Sequence, residues 1–218
     1  MEWPVFGGEE LDALRAVLES GTWGHVSRSG TAVGEYQPQF ERAFADFQTA
    51  PHGLCVANGT VAIQLALEAL DIGVGDEVIV PGLTWQATAG AVLDVNAIPI
   101  LVDVEPETYC IDPGAVEAAF GPRTRAVIAV HLYNSIANLE RLSAICRDRG
   151  LALIEDCAHS HGSTWKGKGV GSVGEIGCFS FQSSKSLTCG EGGFCSTNRD
   201  DLALRLDSLR NCGRRPAG

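Results

Sequence analysis

Residues 177–193 read GCFSFQSSKSLTCGEGG: an apolar run, a small-residue loop around Lys185 and a glycine turn around Glu191. The run at 176–181 and the next apolar run, 194–197, flank this loop and predict a strand followed by a returning, antiparallel strand. Lys185 is one of three lysines in the chain; Lys166 and Lys168 sit in WKGKG, which reads as a solvated turn. An amine among Ser183, Ser184 and Ser186, behind Cys178-Phe179-Ser180-Phe181, is open to partial desolvation, which lowers its pKa and frees a lone pair for attack on a carbonyl. That is the chemistry of a Schiff base.

Upstream, short apolar runs alternate with helical patterns. Leu11, Leu14, Val17 and Leu18 mark a helix over 9–20 that Gly21 ends, and after a Gly/Ser-rich passage Phe40, Ala43, Phe44 and Phe47 mark a second. Runs at 54–57, 78–80, 98–102, 126–131 and 151–154 then alternate with helices over 61–70, 84–95, 113–119 and 139–149. Runs this short and apolar suit strands buried on both faces, so the expected fold is α/β with a mainly parallel sheet, one antiparallel strand and helices on both faces. A last helix over 199–210 carries Leu202, Leu206 and Leu209 on one side. No internal repeat or interdomain linker interrupts the pattern.

Composition narrows the function classes. The 218 residues are 45% hydrophobic and 20% charged, enough for a substantial core. A net charge of −11 argues against a nucleic-acid partner, which needs a basic footprint; the local basic cluster is Arg210, Arg214 and Arg215 at the extreme end. No basic leader with an apolar core opens the chain and no apolar run approaches a membrane span, so a soluble, cytoplasmic protein without a membrane partner is expected. The eight cysteines are scattered without a C-x-x-C pair and read as reduced core residues.

Ligands of an open parallel sheet bind outside the carboxyl ends of its strands, so the residues just after each run are the candidates. Ala57-Asn58-Gly59-Thr60 leads from strand to helix: Gly59 allows close backbone approach, the helix start offers free N–H groups, and Thr60 adds a hydroxyl, together a phosphate cradle. Asn-Gly followed by Thr is equally a plain turn and cap. Trp85, after Pro81-Gly82-Leu83-Thr84, can lie against a planar ring or fill the core. Asp156 ends an apolar run, where an acid needs a partner such as a cationic ring nitrogen. The competing reading there is a metal site from Asp156, His159, His161 and His131, although His159 and His161 face opposite ways if extended. Ser180 ends its own strand shortly before Lys185 and offers a second hydroxyl to the cradle.

Together these supply what pyridoxal phosphate needs: an amine, a carboxylate for its ring nitrogen, an aromatic face and donors for its phosphate. ANGTVAIQLAL, GDEVIVPGLTWQAT, PILVDVEPETYCID, AVIAVHLY, IEDCAHSHGSTWKGKGVGSVGEIGCFSFQSSKSLTCGEGG and RNCGRR resemble the DegT/StrS-type aminotransferases of fold type I, over about residues 6–215. The resemblance implies that Lys185 forms the Schiff base with pyridoxal 5'-phosphate and then moves protons as acid and base. It also implies that Asp156 pairs with the ring nitrogen, that Trp85 and His159 sandwich the ring, and that Gly59, Thr60 and Ser180 hold the phosphate.

A histidine at 159, where other members carry glutamine, resembles the inosose aminotransferases and aminohydroxybenzoate synthases. The implied reaction is amino transfer from glutamine or glutamate to a keto-cyclitol or keto-sugar, as in aminocyclitol antibiotic biosynthesis. The alternatives are a dehydrating or aromatising enzyme with the same cofactor, and a truncated homologue without catalysis. Residues 1–218 correspond to the family's cofactor-binding large domain; the small C-terminal domain is expected outside this chain, and a homodimer is expected of the full-length protein. Asn134 stands where the family usually has glycine after His-Leu-Tyr, which leaves the conformation of that loop open.

Overall fold

The computed structural model describes residues 3–23 and 36–214, so most of the Gly/Ser-rich passage and Arg215 lie outside the described residues. Strands β1 (His52–Val56), β2 (Glu77–Pro81), β3 (Ile98–Val102), β4 (Thr124–Val130) and β5 (Ala152–Asp156) are followed by a small hairpin, β6 (Thr164–Trp165) and β7 (Lys168–Gly169), and by β8 (Ile176–Ser180) and β9 (Gly193–Thr197). Seven of them form one sheet in the order β1-β9-β8-β5-β4-β2-β3. Strand β9 runs antiparallel to both of its neighbours, and all other pairs in this sheet are parallel. The WKGKG turn is the tip of the hairpin, where exposed Lys166 pairs with Glu140 at 2.6 Å.

Helices α1 (Gly8–Ser20), α2 (Tyr36–Phe47), α3 (Gly59–Ala69), α4 (Ala87–Asp94), α5 (Pro113–Ala119), α6 (Leu139–Arg149) and α7 (Asp200–Arg210) complete the chain. The side chains of a strand alternate between faces, and the two cores follow that alternation. Val78, Val80, Ala126 and Ile128 pack with Ala62 and Ile63 of α3, Ala91 and Val92 of α4, and Leu202 and Leu206 of α7. Their neighbours Ile79, Val127 and Ala129 pack on the other side with Val116 of α5 and Leu139, Leu142 and Ile145 of α6. Parallel strands covered on both faces leave no solvated side, which explains why the runs are apolar throughout. No helix among the described residues is long and apolar enough to cross a membrane.

Two expectations need correction. Strand β3 is not buried on both faces: it is one of the two sheet edges, opposite β1, with Ile98 39% and Leu101 64% exposed. Helix α4 starts at Ala87 rather than at residue 84, because Leu83, Thr84 and Trp85 first wrap around a cavity at the strand ends.

A third cluster joins α2 to the antiparallel part of the sheet. The Phe44 ring meets Phe179, Phe181 and Phe194 edge-on at centroid separations of 5.1, 5.1 and 4.9 Å. Edge-to-face aromatics add to the burial of their area. Phe44→Ala should therefore lower the unfolding free energy by about 3–5 kcal/mol in denaturant titrations, and a loss below about 1 kcal/mol would show that α2 is not anchored through this ring.

Candidate active site

The cavity at the strand ends has a volume of about 670 Å³ and takes residues from the segments after β1, β2, β4, β5 and β8. Its floor is set where α3 starts. Asn58 caps that helix, its Oδ1 accepting from the Val61 N–H at 2.9 Å, and helix geometry leaves the amides of Gly59 and Thr60 pointing out of the helix end. A Cβ on Gly59 would stand 2.8 Å from the Ser180 Cβ, and one on Gly193 would stand 2.3 Å from the carbonyl of Asn58. Only bare backbone at these two positions lets β8 and β9 pass under the helix start. Gly59, Thr60 and Ser180 thus line one end of the cavity, where amides, hydroxyls and the positive end of a helix dipole suit an anion.

Asp156 closes β5 and is buried. Its Oδ2 accepts from Thr88 Oγ1 at 2.9 Å and its Oδ1 from the Ala158 N–H at 3.2 Å, so the carboxylate is held as it faces the cavity. Thr88 carries no sequence signal of this role, being an ordinary polar residue at the second position of α4.

Lys185 stands on a turn whose backbone N–H donates to the Gln182 carbonyl at 2.9 Å, while the N–H and hydroxyl of Ser184 both donate to Gln182 Oε1. Burial lowers its pKa and the Asp156 charge works against that shift, as the serine-rich, apolar-backed context predicts. Trp85 lines the same cavity and is 71% exposed, so it does not fill the core. Gln182, Glu191 and Tyr133 also line it, and the sequence reading singled out none of them as site residues.

The histidines separate. His159 lines the cavity; burial and then the Lys185 charge lower its pKa, against the Asp156 charge. His161 turns the other way, its ring 5.5 Å from that of Phe181 and its Nε2 donating to the Ser180 carbonyl at 2.8 Å. His131 is fully buried behind the strand ends: its Nδ1 accepts from the Ala137 N–H at 3.2 Å and its Nε2 donates to Glu155 at 3.1 Å. Asp156, His159, His161 and His131 therefore do not converge on one point. The grouping that does, among the described residues, is His131, Glu155 and Cys157. There the Glu155 oxygens are already filled by His131 and three amides, and burial pushes the Cys157 thiol well above its usual range.

Asn134 resolves the question of its loop. Tyr133 and Asn134 both have left-handed backbone, φ 51° and 68°, a region asparagine tolerates better than other residues with a side chain.

The chain belongs to the DegT/DnrJ/EryC1/StrS aminotransferase family, whose model matches residues 5–218. It is 50% identical over 212 residues to the L-glutamine:scyllo-inosose aminotransferase of Streptomyces griseus, covering 97% of this chain and 50% of that one. The structure of 3-amino-5-hydroxybenzoic acid (AHBA) synthase superposes with a TM-score of 0.92 at 38% identity, over 98% of this chain and 55% of the other. NtdA of Bacillus subtilis, solved with its cofactor PMP bound, gives 0.83 at 32% identity, over 93% and 45%. The chain spans about half the length of the curated relatives it matches.

The histidine shifts make stability depend on pH. In His161 burial again lowers the pKa, against its bond to the Ser180 carbonyl, so both imidazoles sit below the ordinary value of 6.5. The unfolded chain takes up these protons first as pH falls. Their contribution is therefore complete above about pH 6.5 and is lost as pH drops through the lowered folded values. Denaturant midpoints should fall between pH 7 and pH 5, and should fall less in His161→Gln; an equal slope in parent and variant would contradict this.

Proposed function

We propose that this chain is the cofactor-binding large domain, residues 1–218, of a pyridoxal-phosphate aminotransferase that passes an amino group from glutamine to the keto group of a scyllo-inosose-type cyclitol in aminocyclitol biosynthesis. The observation that carries the reading is one cavity lined by a partly desolvated lysine, a buried carboxylate and a helix N-terminus. The residues fit the cofactor, of which PMP is the amine form. The Gly59–Ser180 cradle has the donors a phosphate takes, Asp156 is a held anion suited to a protonated ring nitrogen, and Trp85 and His159 offer flat surfaces to a ring.

When bound, pyridoxal phosphate supplies an aldehyde that carries the amino group and a ring that withdraws electrons. The chain's own residues do the rest. Lys185 holds its Nζ in an environment that disfavours the ammonium, so this nitrogen would hold the cofactor's aldehyde carbon, with loss of water, and, once displaced by the incoming amine, would accept and return a proton. Asp156, fixed by Thr88 and Ala158, keeps a negative charge where a ring nitrogen is to stay protonated. Gly59, Thr60 and Ser180 would hold the phosphate and so fix where the reacting carbon sits.

The cyclitol acceptor and glutamine donor are favoured by the Streptomyces griseus relative and by histidine at position 159. In the same reading the protein works as a cytoplasmic homodimer. The likeness to AHBA synthase supports a second reading, dehydration or aromatisation with the same cofactor. Glutamate formed from an aminocyclitol and 2-oxoglutarate distinguishes the two, since only transamination makes it.

Borohydride reduction after incubation with pyridoxal phosphate should place the label on Lys185, with Lys166 and Lys168 unlabelled in peptide mapping. Lys185→Ala should lose the cofactor's visible absorbance band. A normal band in that variant defeats the proposal.

A further inference from the structure

Tyr133 follows Leu132 in a short 3-10 turn after β4, and the left-handed backbone at Tyr133 and Asn134 folds that turn over the cavity rim. Two parts of Tyr133 then meet His159. Its backbone N–H donates to His159 Nδ1 at 3.2 Å, and its ring lies nearly parallel to the imidazole, at 13° and a centroid separation of 5.4 Å. A ring nitrogen that accepts from an N–H carries no proton of its own, so the neutral imidazole has its hydrogen on Nε2. That nitrogen has no hydrogen-bond partner among the described residues. Asn134 secures the turn from the other side, its Oδ1 accepting from Ser163 Oγ.

A planar group has two faces, and Tyr133 occupies one face of the His159 ring. The face left over is the one available to a flat ligand in the cavity. Tyr133 is 80% exposed, so packing of its side chain into a core does not explain its placement; the stack on His159 is the contact that orders it.

We propose that Tyr133 is a positioning residue for this site: its N–H and its ring together hold His159 as the Nε2–H tautomer in a fixed plane, ready to lie against the pyridoxal-phosphate ring. The proposal rests on the cofactor reading given above and adds to it the element that orients the imidazole. It also assigns Asn134 a task, since the residue at that position must accept left-handed backbone for the Tyr133 N–H to reach His159.

Two-bond 1H–15N correlation spectra of the histidine-labelled protein, without cofactor, read the tautomer directly. The chain has five histidines, and the His159 signals are those lost in His159→Gln. The expected pattern is Nε2–H in the parent, in Tyr133→Phe and in Asn134→Gly, with mixed tautomers in Asn134→Val. Tyr133→Ala should weaken pyridoxal-phosphate binding roughly two- to tenfold, the range of one aromatic stack, while Tyr133→Phe changes it less than about twofold. An Nδ1–H tautomer in the parent, or unchanged affinity in Tyr133→Ala, overturns the proposal. If His159→Ala still binds the cofactor weakly in that case, the site reading stands and only this proposal falls. If His159→Ala binds as tightly as the parent, this proposal falls, and the site reading stands or falls by the Lys185 label alone.

Discussion

The Glu155 carboxylate is the constraint on which the strand ends depend. It is fully buried on β5, and a charge in that position is tolerated only with a full set of donors. His131 Nε2 and the amides of Gly171, Val173 and Gly174 supply them, at 3.1, 2.9, 2.9 and 2.6 Å. Burial opposes the charge, yet these bonds outweigh it and keep the carboxyl below the ordinary glutamate range. To bring three amides to one carboxylate, the chain between β7 and β8 must curl under β5, and β8 then enters the sheet with Ile176 beside Ile154 and Cys178 beside Asp156.

The same network reaches the other side of β5. Side chains alternate along a strand, so with Glu155 turned into the interior Asp156 is turned to the cavity. His131 donates its backbone N–H to the Asp156 carbonyl at 3.0 Å, and its own carbonyl accepts from Ser160 Oγ at 3.1 Å. The end of β4, the end of β5 and the segment bearing His159 are therefore tied through the backbone of one buried residue, His131, whose ring holds Glu155. A buried polar cluster with every member satisfied is rigid, and rigidity is what the proposed contacts of Asp156 with a ring nitrogen and His159 with a ring face would require.

Much of this was legible in the residues. Three of the predicted elements, 98–102, 113–119 and 139–149, coincide with β3, α5 and α6, and the return strand after the Lys185 loop is β9. The legible parts are local: apolar spacing and Gly-rich turns, which act within a few residues; the caps Asn58, Asp112 and Asn138 emerged only in the structure. Gly59, Thr60, Trp85, Asp156 and Ser180 were legible because each ends or follows an apolar run, Lys185 from its serine-rich context and His159 from the family resemblance, and the structure has all seven lining one cavity.

What escaped was set by distant segments. Thr88 lies 68 positions from Asp156, and Tyr133 lies 26 positions from His159; no spacing rule connects either pair, and both meet because parallel strands bring their carboxyl ends to one edge. The exposure of β3 escaped for the same reason, since an edge strand and a central strand read alike until the sheet order is known. The sequence by itself determined the alternation of strands and helices, the positions of the candidate amine and acid, and the family. Tertiary structure alone decided which face of β5 carries Asp156, that His131 serves Glu155 rather than the cavity, and that a left-handed turn lays Tyr133 on His159. Those outcomes depend on satisfying buried charges and amides across the whole sheet, a condition that no short stretch of residues contains.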